Sequence, residues 1–142
     1  MNILIADKLS TLALEALKGL GCSITLNADL YADDLPNHIS DHDVLVVRST
    51  KVTAETIDAA TSLSLIIRAG AGVNTIDLDA ASSRGIYVAN CPGQNTQAVA
   101  ELVIGLIIAA DRRIVNASQD LRSGKWNKKE YSKSSGLAGR TL

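Results

Sequence analysis

Short apolar runs rich in β-branched residues recur at Ile3–Ala6, Cys22–Leu26, Val44–Val47, Leu65–Ile67 and Ile86–Ala89, most of them followed by turn residues and a helical stretch. This alternation constrains the fold more than any other feature. Strands joined through helices lie parallel in one sheet, with the helices packed on its faces. The run Val44-Leu45-Val46-Val47 is apolar at consecutive positions, which suits a strand covered on both sides. The expected fold class is α/β with a mainly parallel sheet.

A helix is expected from near Ser10 to Gly21. Leu9, Leu12, Ala13, Ala16, Leu17 and Leu20 form one stripe, and Lys8, Glu15 and Lys18 fall off it. The Ser10 hydroxyl caps the free amides at the start, and glycine accepts the left-handed turn at the end. A second helix runs from Asp77 to Arg84 with Gly85 beyond, the acid at the positive pole and the base at the negative one. From Asn95 to about Leu121 the pattern predicts one long helix, apolar nearly all round between Val99 and Ala110. Such a helix requires burial on most sides, in a core or against another subunit. The basic stretch after it, with Lys125, Lys128, Lys129 and Lys133, reads as a solvated face in which Trp126 is an interface anchor. Gly139-Arg140-Thr141-Leu142 marks a place where another strand could begin, and the change of pattern near residue 96 is the candidate domain boundary.

With 142 residues, 46% of them apolar, the chain is long enough to bury a core and too apolar to stay disordered. Fourteen basic residues face fifteen acidic ones, so a general nucleic-acid binder is not expected and any charged ligand has to be caught locally. Cys22 and Cys91 stand far apart, which suggests neither a disulfide framework nor structural zinc and fits a reducing cytoplasm. The start of the chain lacks the features of a signal peptide. Ala98–Ala110, broken by Glu101, falls short of the roughly 20 residues that cross a bilayer, so no membrane span is expected. His38 and His42 have HxxxH spacing, but the strand onset beside them and the missing HExxH pattern favour a solvated surface, and no metal site is expected. Cys91 has no basic partner and reads as a small buried residue.

Ligands of an open parallel sheet bind beyond the carboxyl ends of its strands. Three loops follow strands there. After Val47 come Arg48-Ser49-Thr50-Lys51: a guanidinium able to grip a carboxylate or phosphate with two bonds, beside two hydroxyls and a second cation. The alternative is that Arg48 pairs with Asp77 or Asp79 while Thr53 caps the next helix. After Ile67 come Arg68-Ala69-Gly70-Ala71-Gly72-Val73-Asn74-Thr75, whose small residues leave main-chain amides uncovered for an oxygen anion. This is not the dinucleotide fingerprint: GxGxxT replaces GxGxxG, and Asn90 stands where an acid would hold the ribose. The alternative is a glycine turn needed only for chain reversal. After Ala89, Asn90-Cys91-Pro92-Gly93-Gln94-Asn95-Thr96 leads into the long helix. Asn95 or Thr96 can cap it, and the same N-terminus attracts anions.

Taken together, Val47-Arg48-Ser49-Thr50-Lys51-Val52-Thr53, Arg68-Ala69-Gly70-Ala71-Gly72-Val73-Asn74, Asp77-Leu78, Arg84-Gly85-Ile86, Asn95-Thr96 with Val99-Ala100-Glu101-Leu102, and Gly124-Lys125-Trp126 resemble the N-terminal part of the NAD-dependent D-2-hydroxyacid dehydrogenases, in order and over essentially the whole chain. The resemblance implies a flavodoxin-like substrate-binding domain over residues 1–96. Residues 97–142 would then open a Rossmann NAD-binding domain, with the 97–121 helix and the Trp126 region in a homodimer interface. It also implies that Arg48 and Ser49 hold a substrate phosphate and that Gly70, Ala71, Gly72 and Val73 hold its carboxylate. Ala71 would also lie close to the nicotinamide of NAD, Asn95 near the reacting substrate, and Lys128 would be the candidate to reach the neighbouring subunit's substrate phosphate.

The implied reaction is oxidation of a phosphorylated three-carbon hydroxyacid, 3-phospho-D-glycerate. Its GxGxxG motif and its catalytic arginine, glutamate and histidine are expected beyond Leu142, so the chain alone is expected to be a catalytically inert fragment. Where many members have Asp-Asn, this chain has Asn74-Thr75. The alternatives are a dehydrogenase for glycerate, glyoxylate or another unphosphorylated 2-hydroxyacid, and a peptide-binding corepressor of the same fold. A phospho-acceptor receiver domain would want an aspartate at the end of the third strand, where Arg48 stands.

Overall fold

Five short strands, β1 (Asn2–Ile5), β2 (Ser23–Leu26), β3 (Val44–Val47), β4 (Leu65–Arg68) and β5 (Tyr87–Asn90), pair in parallel in the order β2-β1-β3-β4-β5. That order is the flavodoxin-like variant of the doubly wound sheet, whose direction of growth reverses between β1 and β3. The computed structural model describes residues 1–141, and the chain forms two compact units, Met1–Gln94 and Asn95–Leu142.

The sheet belongs to the first unit, and side-chain alternation divides its core into two layers. Leu4, Leu45, Val47 and Ile66 face one side, with Leu35, Ile39, Ile57 and Ala81 packed over them. Ile3, Ile5, Val44 and Val46 face the other, beneath Leu14 and Leu17. All four residues of β3 are buried, as a strand covered on both faces should be, whereas the edge strands β2 and β5 are largely exposed. The fifth strand begins one residue later than expected, because Ile86 turns into the core and its amide bonds the Ala81 carbonyl at the end of the preceding helix.

Helix α1 (Thr11–Gly19) starts at Ser10, whose hydroxyl accepts from the Ala13 amide, and Gly21 beyond it has φ 72°. Its inward face is rotated from the expected stripe. Leu14 packs on the sheet, while Leu12 and Leu20 are 76% and 72% exposed. The sheet meets the helix on a narrow strip, so only part of its apolar surface is covered. Helix α2 (Ala54–Ala59) is capped by Thr53 and α3 (Leu78–Ser83) by Asp77, with Gly85 at φ 67° after it.

The second unit corrects the expectation of one long helix. It holds α4 (Thr96–Asp111), α5 (Ile114–Arg122) and a short α6 (Lys128–Tyr131) in the segment expected to be a plain solvated face. The break falls at Arg113, in the left-handed region at φ 50°, ψ 43°. A non-glycine residue there is unfavourable by roughly 1–2 kcal/mol, and side-chain bonds offset this. The Arg113 guanidinium lies 2.9 Å from the Glu130 carboxylate and 5.2 Å from the centre of the Tyr131 ring. Tyr131 in turn donates its hydroxyl to Asp120 at 2.8 Å. The periodic pattern of the chain does not register this set of contacts, which accompanies the break between α4 and α5. Along α4 the apolar side chains remain uncovered: Leu102, Ile104 and Leu106 are 61%, 53% and 59% exposed. Among the described residues no helix is long and apolar enough to cross a membrane, and no cluster of three His, Cys, Asp or Glu could hold a metal.

Candidate functional site

The strand register brings three loops to one rim. Val47 pairs with Arg68 and Arg68 with Asn90, so the chain leaves β3, β4 and β5 at the same level of the sheet. The Ala69 amide donates to the Val47 carbonyl at 2.7 Å, which ties the Arg48 loop to the glycine loop at their roots. Arg48 and Ser49 are exposed there, and among the described residues Arg48 pairs with no carboxylate, so the alternative partners Asp77 and Asp79 do not take it. Thr53 does cap α2, accepting from the Thr56 amide.

Sequence reasoning missed Asp7, which lies two residues beyond the end of β1, the strand paired with β3. One of its carboxylate oxygens accepts from the amides of Arg48, Ser49 and Thr50 at 2.7, 3.0 and 3.0 Å. Burial pushes its pKa up, but the three amide bonds and the Thr50 hydroxyl outweigh this and hold it below the ordinary 3.8. The available signal was an acid directly after the first strand, on the side where the sheet reverses.

In the glycine loop the carbonyls of Gly70, Ala71 and Gly72 are occupied, and the Gly70 amide donates to the Arg68 carbonyl at 2.8 Å. The Gly70 carbonyl accepts from the Cys91 amide at 2.9 Å, the Ala71 carbonyl from the Asn90 side chain at 2.6 Å, and the Gly72 carbonyl from the Arg68 guanidinium at 2.8 Å. Among the described residues the amides of Ala71, Gly72 and Val73 donate to no protein group, and Ala71 and Gly72 are exposed. Bonded carbonyls anchor the loop, and its uncovered amides are donors available to an oxygen anion. A Cβ at Gly70 would lie 2.9 Å from the Arg68 guanidinium, so a larger residue there would displace that side chain from its bond to the Gly72 carbonyl. Asn90, unsuited to holding a ribose, instead fixes this loop from the neighbouring strand.

Asn95 and Lys128 belong to the second unit. Asn95 takes the N-cap position of α4, but its side chain makes no capping bond. Lys128 opens α6 and lines, with Arg112, Leu121, Lys125, Trp126 and Tyr131, a groove of about 450 Å³ within that unit. Trp126 is 77% exposed. Cys91 is exposed, contrary to the buried position expected, because the chain has already left the sheet edge when it reaches that residue. His38 and His42 precede β3 and so lie toward the sheet's amino edge, away from the rim that carries Arg48.

These features define a flavodoxin-like α/β domain with an unpaired cation and a free-amide loop on adjacent strand ends. The model of the D-isomer specific 2-hydroxyacid dehydrogenase catalytic domain matches residues 3–137, and the chain belongs to that family. It is 42% identical over 143 residues to D-3-phosphoglycerate dehydrogenase of Methanocaldococcus jannaschii, covering 100% of this chain and 27% of that protein. It is 47% identical over 114 residues to hydroxypyruvate reductase of Thermotoga maritima, covering 80% of this chain and 37% of that protein. Among solved structures, the NAD+-bound 3-phosphoglycerate dehydrogenase of Entamoeba histolytica is 34% identical, with a TM-score of 0.67 over 79% of this chain and 39% of that one. The chain therefore spans only about a quarter to two fifths of the relatives it matches.

Proposed function

We propose that this chain forms the substrate-holding part of an enzyme that oxidises 3-phospho-D-glycerate to 3-phosphohydroxypyruvate with NAD, the first step of serine synthesis in the cytoplasm. In this reading residues 1–96 are the substrate-binding domain and 97–142 open the NAD-binding domain. One observation carries it: an unpaired guanidinium at Arg48 beside the free amides of Ala71–Val73 on adjacent strand ends, which suits an acid anionic at both ends. Arg48 and Ser49 hold the phosphate, Gly70–Val73 the carboxylate, Asn95 lies near the reacting carbon, and Lys128 serves a neighbouring subunit's substrate. The uncovered side chains of α4 and the exposed Trp126 support a homodimer.

NAD accepts the hydride when bound. Within this chain the exposed, small Ala71 fits a contact with its nicotinamide end, and no GxGxxG motif is present to hold the rest. What these residues do is orient. They grip both ends of the acid so that its C2 hydroxyl and hydrogen present in one direction, and such positioning can contribute several kcal/mol to lowering a barrier, up to about 7–11. The rim offers no histidine to take the hydroxyl proton, since both histidines of the chain precede β3.

The test is kinetic. The full-length gene product should reduce NAD with 3-phosphoglycerate at a kcat/KM far above that with glycerate, and Arg48→Gln should lower that preference by about tenfold or more. Equal turnover of both acids by the unaltered enzyme would overturn the phosphate reading. It would favour the second one, a reductase for an unphosphorylated 2-hydroxyacid, which the likeness to hydroxypyruvate reductase supports.

A further inference from the structure

We infer that Asp7 is a positioning residue for Arg48: by filling the amide pocket of the turn after β3, it sets the guanidinium on the rim unpaired and leaves an incoming phosphate the exposed side chains of that turn, Arg48 and Ser49, rather than its main-chain amides. The inference rests on the reading in which Arg48 holds the substrate phosphate.

Three consecutive amides pointing at one place form an anion site in their own right. In this chain the site is already taken by an internal anion, the Asp7 carboxylate, at 2.7, 3.0 and 3.0 Å from the amides of Arg48, Ser49 and Thr50. The Thr50 hydroxyl adds a bond back to the Ala6 carbonyl at 3.3 Å, so β1 and the turn after β3 are joined at both the main chain and the side chain. Asp7 makes no ion pair with Arg48, although Arg48 is the residue whose amide it holds most closely. The acid thus uses the backbone of Arg48 and spares its charge. The reversal of the sheet between β1 and β3 is what permits this, because it places the two strand ends side by side with no helix between them.

Two opposing effects separate this role from a passive one. A carboxylate near a phosphate repels it, so if Asp7 were only a neighbouring charge, Asp7→Asn would strengthen the preference for the phosphorylated acid. If Asp7 positions Arg48, the same change loosens the turn and weakens that preference.

The experiment measures kcat and KM of the full-length gene product for 3-phosphoglycerate and glycerate in the unaltered protein, Asp7→Asn, Arg48→Gln and the double variant. The expected result is a fall in selectivity of about tenfold in Asp7→Asn, carried by KM rather than kcat. The double variant should be no less selective than Arg48→Gln alone, since the two changes disable one device. Should Asp7→Asn not accumulate as folded protein, Asp7→Glu takes its place with the same readouts, because it keeps the charge and displaces the turn. Increased selectivity, an equal loss for both acids, or effects that multiply in the double variant would each overturn the inference. If Arg48→Gln alters selectivity and Asp7→Asn does not, only the inference about Asp7 fails. If Arg48→Gln itself leaves selectivity unaltered, the reading of Arg48 fails and the inference with it.

Discussion

Asp7 carries a cost and a benefit at the level of a single side chain. Partial burial disfavours its charge, and the bonds from Arg48, Thr50 and Ser49 favour it more, so its folded pKa lies below the ordinary 3.8. A carboxyl depressed by folding contributes stability that is present above its unfolded pKa and is lost as pH falls through the folded one. Unfolding midpoints in urea, measured across a pH series, should therefore drop on acidification below about pH 4, and the drop should be shallower in Asp7→Asn. An unchanged acid limb in that variant would show that the three amide bonds contribute nothing to the linkage. At this scale the sequence was read well for charge carriers and poorly for their partners. Arg48 stood out because a guanidinium at a strand end can grip an anion with two bonds, whereas Asp7 is an ordinary residue until β1 and β3 are known to be neighbours.

Between elements, Arg84 does the most visible joining. It ends α3, and its guanidinium donates to the carbonyls of Ile57, Asp58 and Ala60 at 2.7, 2.8 and 2.8 Å, acceptors at the end of α2 of which Ile57 also takes the Ala60 amide. Its ion pair with Asp58, at 3.9 Å and well exposed, adds little by comparison. Arg84→Ala should destabilise the first unit by about 1–3 kcal/mol, because partly buried carbonyls lose a charged donor. Chemical denaturation checks this, and Arg84→Lys, which cannot span three acceptors at once, should recover only a fraction. The sequence placed Arg84 at the right end of its helix for the reason of the helix dipole, yet its larger role depends on α2 lying alongside. The same limit explains α1. Its cap at Ser10 and stop at Gly21 follow from local chemistry, while which leucines turn inward depended on the angle at which the sheet receives the helix. The break at Arg113 is a stronger case, since a left-handed arginine is maintained only by Glu130 and Tyr131 farther along the chain.

For the molecule as a whole, the rim holds the groups that grip a doubly anionic acid but no histidine, so the 142-residue chain purified by itself should give no NAD reduction with 3-phosphoglycerate. A spectrophotometric assay checks this, and measurable turnover would mean that a proton acceptor has been overlooked among these residues. The sequence by itself determined the α/β class, the five strand cores, the caps at Ser10 and Asp77, and the loops that follow strands, because each depends on residues within a few positions of one another. Only the tertiary structure decided the strand order, the capture of the Arg48 turn by Asp7, the anchoring of the glycine loop by Arg68 and Asn90, and the break at Arg113. These are contacts between groups tens of residues apart or bonds whose geometry no periodicity encodes, and they exist only once the chain has closed its loops and brought the strand ends together.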